Sequence, residues 1–123
     1  MKIAVMGSQC TGKSTYIKDF LRQWPNFKLC NQPRYSDLIS SKSLDINENG
    51  TEDSQRQILN SLVDQVVYTP KEQDTIFDRS VLDNLVYTLW LNSQNKVSDS
   101  FVRETIKIVR ETLTFYDIYF SLS

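Results

Sequence analysis

Residues 7–14 read Gly-Ser-Gln-Cys-Thr-Gly-Lys-Ser and match the pattern GxxxxGK(S/T) at every fixed position. The two glycines let the backbone curl so that successive amide groups point into one concavity, which suits phosphate oxygens. Lys13 adds a positive charge for the β and γ phosphates, and Ser14 offers a hydroxyl to Mg²⁺. The pattern predicts a site for ATP and Mg²⁺, with Ser14 as a metal ligand. We expect the nucleotide to contact Gly7, Ser8, Gln9, Cys10, Thr11, Gly12, Lys13, Ser14 and Thr15.

The residues on either side of this motif predict the two elements that must position it. Residues 2–6 form a short apolar run, which is typical of a strand buried on both faces. After Gly12 the apolar residues fall on one face of a helix, which ends before Pro25 because the residue preceding a proline is pushed out of the α region. The start of that helix adds unpaired amides and a positive dipole end to the phosphate site. The alternative is an ordinary glycine-rich turn between a strand and a helix.

A second candidate group begins at residues 75–77, which predict a third strand ending in Asp78. An acid at the carboxyl end of a buried strand lies on the ligand-binding edge of an open α/β sheet. There Asp78 would hold Mg²⁺ through water or accept a proton from an attacking hydroxyl, and Arg79 would clamp phosphate charge. The alternative is that Asp78 is the N-cap of the helix that follows.

The rest of the chain predicts further strands and helices in alternation. Strands are predicted at residues 27–30 and 116–120, a short helix at 34–39, a surface loop at 40–51, a helix from the candidate N-cap Thr51 up to Pro70, and helices at 81–91 and 101–113. Alternating strands and helices imply βαβ units around a parallel sheet, so we expect an α/β fold. The length favours a single domain spanning residues 1–123.

Composition and charge exclude several classes of protein. The chain has 14 Lys and Arg against 15 Asp and Glu, and the net charge of −1 argues against binding nucleic acid or an anionic membrane by bulk charge. No apolar run approaches the ~18 to 20 residues that span a bilayer, so we expect a cytoplasmic location. With no histidine and 2 cysteines, the chain has no Cys/His zinc set and no histidine-based catalytic triad.

The glycine-rich motif followed by FDRSVLDNLVY resembles the P-loop kinases that phosphorylate nucleosides and nucleotides, particularly the AAA-like subgroup related to nicotinamide riboside kinases. In that family a strand ends in Asp-Arg, and an Asp and a Tyr follow on the next helix. The corresponding residues here are Asp78, Arg79, Asp83 and Tyr87. The resemblance implies a three-layer P-loop fold with about four parallel strands in the order 2-3-1-4. It also implies that Lys13, Asp78 and Arg79 are catalytic, with Asp78 a metal ligand.

The same resemblance assigns the substrate side of the site. Asp83 and Tyr87 are expected to contact the substrate, as is Arg34, because relatives often carry a carboxylate and an arginine just after strand 2. This chain has Asn31 and Gln32 where the acid is expected. The identity of the substrate is therefore left open.

The family also has a lid with arginines after strand 4 and a fifth strand, and we expect both to be missing here. Residues 115–120 would then form an uncovered apolar edge strand, which natural proteins usually avoid. We therefore expect a C-terminally truncated domain whose strand-4 edge is covered by a second copy of the chain or by another partner chain.

Three functions fit these residues. The favoured one is ATP- and Mg²⁺-dependent phosphoryl transfer to a small nucleoside, nucleotide or related metabolite, with Asp78 activating the acceptor hydroxyl. The second is a nucleotide-binding module or slow NTPase that regulates a partner, with hydrolysis insensitive to any acceptor. The third is a kinase for polynucleotide 5′ ends, against which the net charge argues. Trp24 and Trp90 are interpreted as core residues.

Overall fold

A computed structural model describes residues 1–7, 12–30 and 51–122. Its strands are β1 (Lys2–Met6), β2 (Lys28–Cys30), β3 (Thr75–Asp78) and β4 (Ile118–Ser121). Its helices are α1 (Lys13–Gln23), α2 (Thr51–Tyr68), α3 (Val81–Ser93) and α4 (Asp99–Thr112), with a 3-10 turn at Leu113–Phe115. The predicted helix at 34–39 and nearly all of the predicted loop at 40–51 lie outside the described residues. Within the described ranges, no helix is long and apolar enough to cross a membrane.

The four strands form one sheet in the order β2-β3-β1-β4, and every neighbouring pair is parallel. This confirms the predicted α/β fold, its parallel sheet and its strand order. The register pairs Val5 with Asp78 and Met6 with Ser121, so the carboxyl ends of β1, β3 and β4 lie along one edge. In a parallel α/β sheet, ligands bind at that edge.

Helices cover both faces of the sheet, and the side chains of β1 point alternately to these two buried faces. Ile3 and Val5 pack with Ile17 of α1 on one face. Ala4 packs on the other face with apolar residues of α2, α3 and α4. Burial on both faces explains why β1 is apolar at every position after Lys2. The result is the predicted three-layer arrangement.

The amino end of β1 is fixed by polar contacts at the edge opposite the phosphate motif. The amine of Met1 lies 2.8 Å from Oδ1 of Asp74. The backbone amide of Lys2 donates to Oδ2 of Asp117 at 2.7 Å, and the buried Nζ of Lys2 donates to the carbonyl of Val66 at 2.6 Å. These contacts tie the sheet to the last turn of α2.

The interpretation of both tryptophans as core residues is wrong, since Trp24 is 53% exposed and Trp90 is 51% exposed. Trp24 follows the last residue of α1 and lines an apolar surface groove with Phe20 and Phe120. Trp90 lies on the exposed side of α3 and stacks on Tyr87. Helical spacing predicted both helices correctly, but it does not show which face of a helix is covered by its neighbours.

Candidate active site

Two glycines stand at the ends of the loop between β1 and α1, within the phosphate motif. Gly7 directly follows β1 with φ 152°, and Gly12 directly precedes α1 with φ 79°. Residues other than glycine rarely adopt these φ angles. A Cβ atom on Gly12 would meet no atom within 4 Å, so the backbone angle, and not lack of space, favours glycine there. The residues between them, Ser8, Gln9, Cys10 and Thr11, lie outside the described residues.

The amino end of α1 has no acidic residue in its first turn and no side-chain cap. The other three helices of the described chain each carry an acidic residue in the first turn. An acid there neutralises the positive end of the helix dipole. Because α1 has no such acid, its amino end keeps a positive potential that suits an anionic ligand. Ser14 and Thr15 are exposed on this first turn. The arrangement fits the predicted phosphate site.

Lys13 and Asp78 meet at the carboxyl edge of the sheet, although 64 residues of sequence lie between them. Nζ of Lys13 lies 2.8 Å from Oδ1 of Asp78, and the two side chains are 7% and 27% exposed. The same oxygen makes no hydrogen bond of ordinary geometry within the described part of the chain, so the contact is a close ion pair. Parallel pairing of β1 with β3 brings these two residues together. The structure thus brings Lys13 of the glycine-rich motif next to Asp78 of the second candidate group.

Arg79 follows Asp78 with φ 115°, an angle that residues other than glycine rarely adopt. Ser80 is then the N-cap of α3, with extended φ −142° and ψ 177°. The alternative in which Asp78 caps this helix is therefore wrong. Its carboxylate faces Lys13, and the cap lies two residues further on because the chain turns sharply at Arg79.

Asp83 closes a capping box at the start of α3. Its Oδ2 accepts a hydrogen bond from the backbone amide of Ser80 at 2.7 Å, and the Ser80 hydroxyl accepts one from the amide of Leu82 at 3.2 Å. Burial raises the pKa of Asp83 above its ordinary value, while the Ser80 hydrogen bond and the charges of Lys13 and Arg79 act in the opposite direction. Asp83 therefore lies within electrostatic range of both predicted catalytic cations.

The other two predicted substrate contacts are Tyr87 and Arg34. Tyr87 is 42% exposed, and its ring stacks on Trp90 with centroids 5.6 Å apart. Arg34 lies outside the described residues. Both assignments stay predictions.

Three buried polar residues beside the site were missed from the sequence. Nδ2 of Asn84 donates to Oε1 of Gln55 at 3.1 Å, which links α3 to α2. Oδ1 of Asn84 and Oγ1 of Thr88 are buried and have no hydrogen-bond partner in the described chain. The buried stripe of α3 is Val81, Asn84, Thr88 and Leu91. Asn84 and Thr88 occupy the two middle positions of this buried stripe. Polar residues at such positions were the sequence signal that could have identified them.

The donor set suits Mg²⁺ held jointly with phosphate. Among the described residues there is no group of three or more His, Cys, Asp or Glu that could hold a metal ion. Mg²⁺ usually keeps several waters and takes one or two carboxylates plus substrate phosphates, so it does not need such a group. Asp78 supplies a carboxylate at the sheet edge, and Ser14 supplies an exposed hydroxyl.

Comparison with known proteins gives a family and a fold. A family model described as an AAA domain matches residues 2–120. Two solved structures of deoxyadenosine kinase from M. mycoides, one with the product dCMP and a flexible dCDP and one with dATP, are similar at TM-score 0.71 and 19% identity. The matches cover 98% of this chain but 63% and 64% of those chains, so it spans just under two thirds of their length. No curated protein matches.

The family match covers nearly the whole sequence, and the structural matches share the P-loop kinase fold around the same sheet. Of the residues that carried the resemblance, Gly7, Lys13 and Asp78 lie at the carboxyl edge of that sheet. This chain belongs to the AAA-domain family of P-loop proteins, and it has the fold of the P-loop nucleoside kinases.

Proposed function

We propose that this domain transfers the γ-phosphoryl group of ATP to a hydroxyl of a nucleoside, nucleotide or related small metabolite. The observation that carries the proposal is the 2.8 Å ion pair between Lys13, in the first turn of α1, and Asp78, at the carboxyl end of β3. One group suits a phosphate and the other suits a proton or a metal ion, and phosphoryl transfer needs both.

The nucleotide side of the reaction uses the start of α1. The amides of its first turn and the Lys13 ammonium attract the β and γ phosphates, and no first-turn acid opposes them. A phosphate approaching Lys13 competes with Asp78 for the same ammonium group. Nucleotide binding would therefore release the Asp78 carboxylate when the acceptor needs it.

The acceptor side uses Asp78 and Arg79. The acceptor oxygen forms a bond to the γ phosphorus, the bond from that phosphorus to the β–γ bridging oxygen breaks, and ADP leaves. The proton of the acceptor hydroxyl passes to the Asp78 carboxylate. The Arg79 guanidinium stabilises the negative charge on the transferred group, a role for which a planar, permanently charged side chain is well suited.

Mg²⁺ would be held by the Ser14 hydroxyl and, directly or through water, by Asp78. When bound, the ion supplies positive charge that neutralises the phosphates during transfer.

The buried polar residues on α3 suggest how an acceptor is chosen. Burying a polar atom without a partner is costly, so Oδ1 of Asn84 and Oγ1 of Thr88 are candidates for hydrogen bonds to a bound molecule. Asn84 is held by Gln55 and lies one turn from Ser80, the first residue after the Asp-Arg pair. Both atoms are fully buried in this structure, so a nucleobase or a similar flat polar group would reach them only after the residues that cover them move. The deoxyadenosine kinase neighbours support this class of acceptor.

The test is ATP consumption with Mg²⁺ against a panel of nucleosides, nucleoside monophosphates and nicotinamide riboside, with Lys13→Ala and Asp78→Asn variants. Lys18→Ala and Asp117→Asn are matched controls, since Lys18 is exposed on the same helix and Asp117 lies at the opposite end of the sheet. We expect acceptor-dependent turnover that both site variants lose and both controls keep. Hydrolysis that ignores every acceptor, or Lys13-dependent ATP binding without turnover, would support a nucleotide-binding module instead.

A further inference from the structure

We propose that Asp83 is a positioning residue and not a substrate contact: through its capping box with Ser80 it holds the Arg79 turn, and so keeps Asp78 and Arg79 in place for phosphoryl transfer. The inference rests on the proposed function, and it departs from the substrate-binding role that the family resemblance implies for Asp83.

The first observation is the closed ring of hydrogen bonds around Ser80. Oδ2 of Asp83 accepts from the Ser80 amide at 2.7 Å and lies 3.4 Å from the Ser80 hydroxyl. In return, the Asp83 amide donates to the Ser80 carbonyl at 3.1 Å, and the Leu82 amide donates to the Ser80 hydroxyl. Ser80 itself is 0% exposed. The amide, hydroxyl and carbonyl of this one residue are thus all fixed.

The second observation is where the backbone strain lies. Arg79, with φ 115°, is the single residue between two anchored neighbours. Asp78 is anchored by its pairing with Val5 in the sheet, and Ser80 is anchored by the capping box. A strained backbone angle persists only where the surrounding structure over-determines it. On the α3 side the box fixes Ser80 directly, and Val81 beside it is fully buried in the core.

The third observation is that Oδ2 of the Asp83 carboxylate is already occupied by the chain. Its Oδ2 serves both contacts to Ser80, and its side chain is partly buried at the base of α3. A carboxylate committed to the chain in this way is suited to holding Asp78 and Arg79 by way of the backbone.

The role predicts a particular kinetic pattern. Loosening the turn would displace Asp78 and Arg79 without removing any group that binds ATP or the acceptor. Small misplacements of catalytic groups have large effects on rate, on the order of 10²-fold for about 1 Å. Loss of the box should therefore lower kcat and leave both KM values nearly unchanged.

The experiment compares Asp83→Ala, which removes the acceptor of the Ser80 amide bond, with Asp83→Asn, which keeps an oxygen for it. Ser98→Ala is the matched control, because Ser98 caps α4 with the same chemistry and α4 carries none of the predicted site residues. The readouts are kcat, the KM for ATP and for the acceptor, and amide hydrogen exchange at Ser80 and Leu82. Ser80→Ala is a second route to the same loss should Asp83→Ala fold poorly.

We expect Asp83→Ala to lower kcat by about tenfold or more with both KM values within about twofold, and to speed exchange at Ser80 and Leu82. Asp83→Asn should keep kcat within about threefold, and Ser98→Ala should leave it unchanged. A rise in acceptor KM shared by Asp83→Asn and Asp83→Ala would overturn the inference in favour of substrate contact. If the wild-type protein phosphorylates no acceptor, the proposed function fails. Exchange at Ser80 then decides whether the box holds the turn, and unchanged exchange in Asp83→Ala would overturn that as well.

Discussion

Lys2 and Lys13 are both buried, at opposite ends of the sheet, yet they have very different partners. Lys2, at the amino end of β1, donates its ammonium to the carbonyl of Val66 and lies 6.0 Å from the centre of the Phe115 ring. Lys13, at the carboxyl edge, pairs with the carboxylate of Asp78. The first partner is a backbone group fixed by a helix, and the second is a side chain at the end of a strand.

The difference separates a lysine that stabilises the fold from a lysine that is available to a ligand. A helix carbonyl cannot move away from Lys2 without unwinding the last turn of α2. The Asp78 carboxylate is a partly exposed side chain and can turn from Lys13 to another partner without any change in the backbone. Burial alone therefore does not distinguish structure from function here, whereas the mobility of the partner does.

The largest expected effect is on activity at the carboxyl edge. Lys13→Met should lower kcat/KM for ATP by about 10² to 10³-fold, because the phosphates lose a preorganised positive charge. Its free energy of unfolding should also fall, by about 1 to 3 kcal/mol, because Oδ1 of Asp78 is left buried without its partner. Turnover assays and urea unfolding check the two halves of this prediction. Turnover retained by Lys13→Met would contradict a functional role for Lys13.

The same substitution at the other lysine should affect stability alone. Lys2→Met should lower the free energy of unfolding by about 1 to 3 kcal/mol, because the Val66 carbonyl is left buried without its donor. Its kcat and KM should match those of the wild type, because Lys2 lies at the end of the sheet opposite Lys13 and Asp78. Urea unfolding and turnover, measured on the same preparation, test this. Loss of turnover in a folded Lys2→Met protein would contradict the separation of roles.

A buried polar group without a partner gives a smaller and opposite effect on stability. Thr88→Val removes a hydroxyl that has no hydrogen-bond partner in the described chain. We expect the free energy of unfolding to rise by about 1 kcal/mol, while the KM for the acceptor also rises. Thermal unfolding and acceptor titration measure these changes. Thr105→Val, at a buried threonine on α4, is the control, and a rise in acceptor KM there as well would contradict a specific role for Thr88.

The smallest effect concerns pH. Because burial raises the pKa of Asp83, the folded protein holds this proton more tightly than the unfolded chain. The contribution of Asp83 to stability is thus fully present below its unfolded pKa and is lost as the pH rises through the raised folded value. Asp83→Asn removes this titration. Urea unfolding from pH 3 to 7 should therefore show the stability of the wild type falling relative to the variant as the pH rises.

The difference in stability between the wild type and Asp83→Asn cancels the contributions of acids whose pKa values are lowered in the folded protein. Hydrogen bonds from the Met1 amine and from Arg56 lower the pKa values of Asp74 and Glu104, respectively, so these acids lose their stabilising effect as the pH falls. Both are present in the wild type and in the variant. A flat difference across the range would show that the Asp83 proton is held equally by the folded and unfolded chains.

Much of this architecture was predictable because the informative signals are local. The apolar run before Gly7, the motif after it and the run ending at Asp78 gave β1, α1 and β3 nearly to the residue. Similarly, the predicted helix at 81–91 is observed as Val81–Ser93. The helix predicted at 101–113 begins instead at Asp99, because Ser98 provides its cap.

The missed features arise from contacts between elements. The pairing of Gln55 with Asn84 depends on how α2 packs on α3, which no spacing within one helix encodes. The exposure of Trp90 depends on which faces of α3 are covered by α2 and α4. The angle at Arg79 is set by a strand on one side and a cap on the other, and arginine itself has no preference for it.

The central position of β1 has a consequence for how the chain is made. β1 is translated first, but its two neighbours are β3 and β4, and its register with β4 includes Ile118 to Ser121. On the ribosome, the strand that carries the phosphate loop can pair with β3 only after residue 78 has emerged, and its other edge stays unpaired until residues 118–121 follow. Such distant pairings slow folding and expose apolar strand edges to other chains in the meantime. The nascent protein is thus most vulnerable to aggregation just before its sheet closes.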